Sequence, residues 1–100
     1  MHLPTLRQLQ LFVAIADHDG FSAAADALGV TQPTLSSAMR ELEALLGHQL
    51  IERGRAGASL TPAGEDCVLR ARRLIGEAED LVLHTRGSGA PLSGAFRLGA

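Results

Sequence analysis

Apolar residues recur along this chain at three- and four-residue spacing, and the first such stripe is Leu6, Leu9, Phe12, Val13 and Ala16. That period is one face of an α-helix. The helix is predicted to start near Pro4, because a proline in a first turn gives up an N–H that would be unpaired there anyway. The run DHDG at 17–20 should end it with a glycine stop. A second helix is expected from a Ser22 cap through Leu28, and a third from a Thr31 cap, with Pro33 in its first turn and Gly47 as its stop.

The segment FSAAADALGVTQPTLSSAMR at 21–40 therefore reads as two short helices around a glycine turn. Ala25 is small enough for the two helices to touch, and Gly29 can take φ > 0 without a Cβ penalty. Ala24, Leu28, Val30, Leu35 and Ala38 fall where apolar side chains would close the pair over a shared core. Gln32, Thr34, Ser36 and Ser37 are left facing outward at the start of the second helix of the pair. All four can hydrogen-bond to base edges and phosphates, which points to a domain that reads double-stranded DNA.

At LIERGRAGASLT, 50–61, the period changes to two short apolar ends around a Gly- and Arg-containing middle, the pattern of a small β-hairpin or wing. Thr61 as cap and Pro62 at the first helical position then open a long helix over 62–86, about 37 Å at ~1.5 Å per residue. Val68, Ala71, Ile75, Ala78, Val82 and Thr85 step 3, 4, 3, 4, 3, a heptad seam that Leu74 and Leu81 broaden. Two readings of the seam stand side by side: a surface helix packed on the first helix, or a helix that pairs with a second copy of the chain. Beyond it, residues 87–100 turn Gly- and Ser-rich, a flexible linker, and close on AFRLGA, which reads as a strand opening into a further domain.

Charge changes this picture in one respect. Nine basic residues, all Arg, against eleven acidic ones leave a net −2, whereas many DNA-binding domains are basic. The distribution matters more than the sum: 29–39 holds no acidic residue, and Arg40, Arg53 and Arg55 lie on or beside the two candidate DNA-facing elements. Helix N-termini add partial positive charge. So few phosphate contacts per copy imply that affinity rests on pairing subunits. Arg70, Arg72 and Arg73 are expected to form surface ion pairs with Glu77, Glu79 and Asp80.

The remaining chemistry is sparse. Leu and Ala dominate and aromatics are few, so the protein should be mainly helical. Cys67 is single and beside the seam, a packing residue rather than a redox switch. His2, His18, His48 and His84 lack ligand spacing, so no metal site and no cofactor are expected. No nucleophile elbow or phosphate loop suggests an enzyme. No apolar run approaches a membrane span, which with the unpaired cysteine points to the cytoplasm. An adaptor module that uses the helix pair only for packing is the alternative, and it would be expected to show apolar anchors at 32–37.

AADALGVTQPTLSSAMRELEALLG, then LIERG, then LTPAGE resembles the N-terminal domain of LysR-type transcriptional regulators, over residues 6 to about 86. The resemblance implies a winged helix-turn-helix over 1–61, a linker and dimerisation helix over 62–86, and an entry into a separate effector-binding domain. It implies a homodimer, or a tetramer at full length, on an inverted-repeat operator, with any small-molecule or redox effector held by that other domain. Gln32, Pro33, Thr34 and Ser36 match the family's major-groove positions, Arg53 its wing arginine and Ser22 a frequent phosphate contact. Ser37 stands where many of the family place Arg, and Ser37, Arg40 and Arg55 complete the expected DNA face. Val68, Ala71, Leu74, Ile75, Ala78, Leu81 and Val82 are the expected dimer contacts. The QPTLS wording is similar to that of the peroxide-responsive OxyR group.

Overall fold

The computed structural model describes residues 1–54 and 57–87. Helices α1 (Leu6–His18), α2 (Phe21–Leu28) and α3 (Gln32–Leu46) are followed by strands β1 (Ile51–Gly54) and β2 (Gly57–Leu60), then by the long helix α4 (Pro62–Gly87). This is the expected winged helix-turn-helix with a trailing helix. Arg55 and the linker and strand expected after Gly87 lie outside the described residues.

Thr5, not Pro4, starts α1. Its hydroxyl accepts the Gln8 amide at 3.0 Å while the Gln8 side chain accepts the Thr5 amide at 2.9 Å, a reciprocal cap that fixes the first turn. The helix ends one residue before the expected glycine, because Asp19 itself takes the left-handed conformation (φ 58°) that short polar side chains tolerate. Gly20 is thereby released to cap α2. Ser22 lies inside α2 rather than capping it.

α1 is the central helix, and this corrects its expected single stripe. Leu9, Leu11, Phe12 and Ile15 are all buried, whereas Leu6 is exposed. Helices α2, α3 and α4 and strand β2 all pack on α1, so its apolar arc is wider than one stripe. The α2–α3 turn behaves as expected. Gly29 is left-handed (φ 72°), and the Val30 amide reaches back to the Ala25 carbonyl at 3.0 Å. Ala24 and Ala25 are buried, so α2 sits close on its neighbours. Leu35, Met39 and Leu42 carry the inner face of α3, which Thr31 caps and Gly47 ends.

The wing is held to the helices at its base. Ile51 pairs with Leu60 and Gly54 with Gly57 in an antiparallel ladder. The Glu43 carboxylate of α3 accepts the Leu50 and Ile51 amides at 2.8 and 3.2 Å through one oxygen. Thr61 donates its amide to the Leu50 carbonyl at 3.0 Å and its hydroxyl to the Gln49 carbonyl at 2.6 Å, and accepts the Gly64 amide at 3.0 Å. A Cβ on Gly64 would stand 2.1 Å from the Leu50 carbonyl oxygen.

α4 divides the seam in two. Val68 and Ala71 are buried within the chain and Ile75 is half-buried on the same core. Leu74, Leu81 and Val82 are 51%, 68% and 46% exposed. The basic cluster pairs differently from expectation: Arg70 with Asp66 at 3.0 Å, and Arg72 with Asp17 of α1 at 2.6 Å. Asp17 sits where α1 passes α4, so Arg72 reaches across rather than along its own helix. Such exposed pairs contribute about 0–1 kcal/mol each.

The Gly64 contact leads to a testable contrast. Gly64→Ala should destabilise the chain by roughly 1–3 kcal/mol, because backbone on both sides must shift. Gly76→Ala, one helix position with open space around it, should stabilise it by about 0.5–1 kcal/mol through helix propensity. Urea unfolding of both variants beside the parent checks the pair. Equal midpoints would show that the junction is not tight.

Candidate nucleic-acid interface

Two helix N-termini and the wing open onto one concavity. It holds about 420 Å³ and is lined, among others, by Asp19, Gly20, Phe21, Ser22, Gln32 and Arg53, with Asp19 its acidic member. Each element arrives there for a local reason. Gly20 caps α2 with no side chain to occupy the first amides, which leaves them open to an incoming acceptor. Thr31 caps α3, accepting the Thr34 amide at 3.3 Å and donating to the Thr34 hydroxyl at 2.7 Å. Gln32 and Pro33 are thus held at the exposed tip of the helix. No acidic residue stands in the first turn of α2 or α3, so both ends keep their partial positive charge.

The sequence-expected residues separate into three groups. Gln32, Pro33, Thr34, Ser37 and Arg40 are exposed on α3, and Ser22 is exposed on α2. Pro33, Thr34 and Ser37 with Glu41 border another open depression along α3. Arg40 is seven residues beyond Pro33 and continues that side of the helix. The exposed groups at 32–37 are polar apart from Pro33, so the apolar anchors an adaptor would need are not there.

Ser36 is the correction. It is 9% exposed, not outward-facing, and its hydroxyl accepts Arg53 Nη2 at 3.1 Å. Four residues beyond Gln32, it faces the wing, which shields it. Arg53 is exposed, and its guanidinium lies over the Phe21 ring, 4.1 Å from the centroid. Phe21 is a site residue that sequence reasoning missed. The signal was present in part: Arg53 is two residues after the inward Ile51, and a strand returns to the same face every second residue. Nothing local pairs Phe21 with residue 53, because 31 intervening positions must fold first.

Cys67 lies away from this face, half-buried against the core. Burial pushes its thiol above the ordinary 9.0, the neighbouring Asp66 carboxylate pushes the same way, and Arg70 opposes both. Among the described residues no helix is long and apolar enough to cross a membrane, and no cluster of His, Cys, Asp or Glu is arranged to hold a metal.

Comparison with known proteins agrees with this geometry. Residues 6–65 match the model for bacterial regulatory helix-turn-helix proteins of the lysR family. The transcriptional regulator EstR of Acinetobacter baylyi is 46% identical over 97% of this chain, which spans 32% of EstR. A cysteine mutant of Corynebacterium glutamicum OxyR is 42% identical with a TM-score of 0.83, over 91% of this chain and 29% of that one. The BenM DNA-binding domain, solved with catB site 1 DNA, is 36% identical with a TM-score of 0.82, over 87% of this chain and 98% of that one. The chain thus spans about a third of the full-length regulators it matches.

The Cys67 environment sets a pH dependence. A raised folded pKa means that the neutral thiol stabilises the fold below the ordinary value, and that this part is lost as pH rises through 9.0 and beyond. The melting temperature of the parent should therefore fall more steeply above that pH than that of Cys67→Ala. Parallel melting curves for the two proteins would contradict the burial argument.

Proposed function

The chain belongs to the LysR family of bacterial helix-turn-helix regulators, and from that premise we propose how it reads DNA: as a homodimer on an inverted repeat, with α3 in the major groove and the wing on the adjacent backbone or minor groove. The observation that carries this reading is the exposed N-terminal turn of α3, with Gln32 sharing a concavity with Ser22 and Arg53. Gln32, Pro33, Thr34 and Ser37 meet base edges and nearby sugar and phosphate groups. Ser22, Arg40, Arg53 and Arg55 supply phosphate and groove-edge contacts. Residues 1–61 form the reading domain and 62–86 the linker helix.

The mechanism follows from what each group offers. The Gln32 amide both donates and accepts, which matches N6 and N7 of adenine in one bidentate contact. The two uncapped or lightly capped helix ends attract phosphate without formal charge. With few arginines on the face of an acidic chain, one copy makes too few phosphate contacts for tight binding, and two copies double them.

The second copy is the occupant we assign to the outer half of α4. Leu74, Leu81 and Val82 continue a seam whose first half the chain itself covers, and a matching helix extends that burial. Effector response belongs to the remaining length of such regulators, which this chain does not span. EstR and OxyR share this segment at 46% and 42% identity. We read the shared segment as the DNA-reading part of such regulators, working in the cytoplasm.

Gln32 and Arg53 should separate in a binding titration against single-base operator variants at two salt concentrations. Gln32→Ala should flatten preference at one or two base pairs per half-site, where a bidentate contact discriminates by ~1–3 kcal/mol. Arg53→Ala should weaken all sites alike and make the salt dependence shallower. Full base preference in Gln32→Ala would remove α3 from its assigned role.

Oligomeric state gives the second check. Leu81→Asp with Val82→Asp, both exposed within one copy, would bury carboxylates in the paired seam at a cost of several kcal/mol, leaving monomer at micromolar concentration. Sedimentation equilibrium reads this directly. A parent that is itself monomeric at high concentration would refute the pairing.

A further inference from the structure

We propose that Ser36 is a positioning residue for Arg53, and that Ser36 and the Phe21 ring together hold the wing arginine in place before DNA arrives. The inference rests on the reading of this face as DNA-binding and concerns how Arg53 is prepared.

Three observations converge on it. The Arg53 guanidinium is 4.1 Å from the Phe21 ring centroid, so its plane has a π-face to rest on. Its Nη2 donates to Ser36 Oγ at 3.1 Å. Both supports are fixed, since Phe21 is 8% and Ser36 9% exposed, whereas Arg53 itself is exposed. The arginine thus spans α2, α3 and β1 through a single side chain.

This arrangement divides the labour of the guanidinium. One of its five N–H groups is turned inward to Ser36, and the outer edge remains for a phosphate or a base. A free arginine loses considerable rotamer freedom when a contact fixes it, and one already held loses less. Ser36, shielded by the arginine it holds, is poorly placed to reach a base edge itself. Its hydroxyl acts on DNA through Arg53. The spacing between wing and α3 is already set at the base of the wing by Glu43, and the support places the guanidinium within that gap.

The experiment is a double-mutant cycle on the whole chain, with a DNA duplex that the parent chain enriches from a random-sequence pool. Titrations are run at low salt so that Arg53→Ala remains measurable. Ser36→Ala should weaken binding about 3- to 10-fold in the parent, as expected for freeing one long side chain, and have almost no effect in Arg53→Ala. Phe21→Leu should weaken binding similarly, while Phe21→Tyr, which keeps the ring face, should not. A measurement without DNA accompanies these. The Arg53 Nε–H resonance should carry a ring-current shift that Ser36→Ala and Phe21→Leu both reduce, with the parent fold retained by circular dichroism.

Equal losses from Ser36→Ala in both backgrounds would make Ser36 a direct DNA contact and overturn the inference. So would an Arg53 resonance indifferent to both substitutions. A parent that enriches no duplex would strike the DNA reading itself, and is distinguishable because the resonance shifts would still report the clamp.

Discussion

Helix α4 begins where there is no room for a Cβ. Gly64 lies against the Leu50 carbonyl, and around that contact one carboxylate of α3 and one hydroxyl of Thr61 satisfy the amides and carbonyls of residues 49–51 and 64. Any separation of these groups would leave partly buried polar atoms without partners, at about 1–3 kcal/mol each. The junction therefore ties the recognition helix, the base of the wing and the long helix into one unit. The reading surface inherits its rigidity from it: α3 and β1 are fixed to each other at Glu43, and the Arg53 bridge spans a gap whose width is already set.

An acidic chain can present a face for DNA because the attractive groups are concentrated and partly uncharged. Helix N-termini free of acidic first turns contribute through oriented amides, and Arg53 is carried to them by the hairpin. The acidic residues of α4 lie on another element. Net charge thus says little about a surface built from two helix ends and a wing.

The same economy explains the divided seam. The first half of α4, through Ile75, packs on the core, and the helix then runs on past it with its apolar positions in solvent. Had α4 stopped at Ile75 the domain would still have its core. The remaining turns add length and exposed leucines, the positions we assign to a second copy.

Much of this architecture was legible from local rules. Gly29 and Gly47 as left-handed stops, Thr31 as a cap, Pro62 at a first turn and the Gly-rich hairpin each depend on residues within a few positions of one another, so the chain alone determined them, along with the helix that exposes Gln32. Local rules failed where neighbours compete. Thr5 outcompeted Pro4 because a reciprocal cap satisfies two amides, and Asp19 took the turn that left Gly20 as a cap. Contacts across the fold were decided only by tertiary structure: the burial of Ser36, the seat of Arg53 on Phe21, the reach of Arg72 to Asp17 and the Gly64 contact with Leu50. Each joins residues far apart in the chain, and hydrophobic periodicity carries no record of which side chain a neighbouring element will place above it.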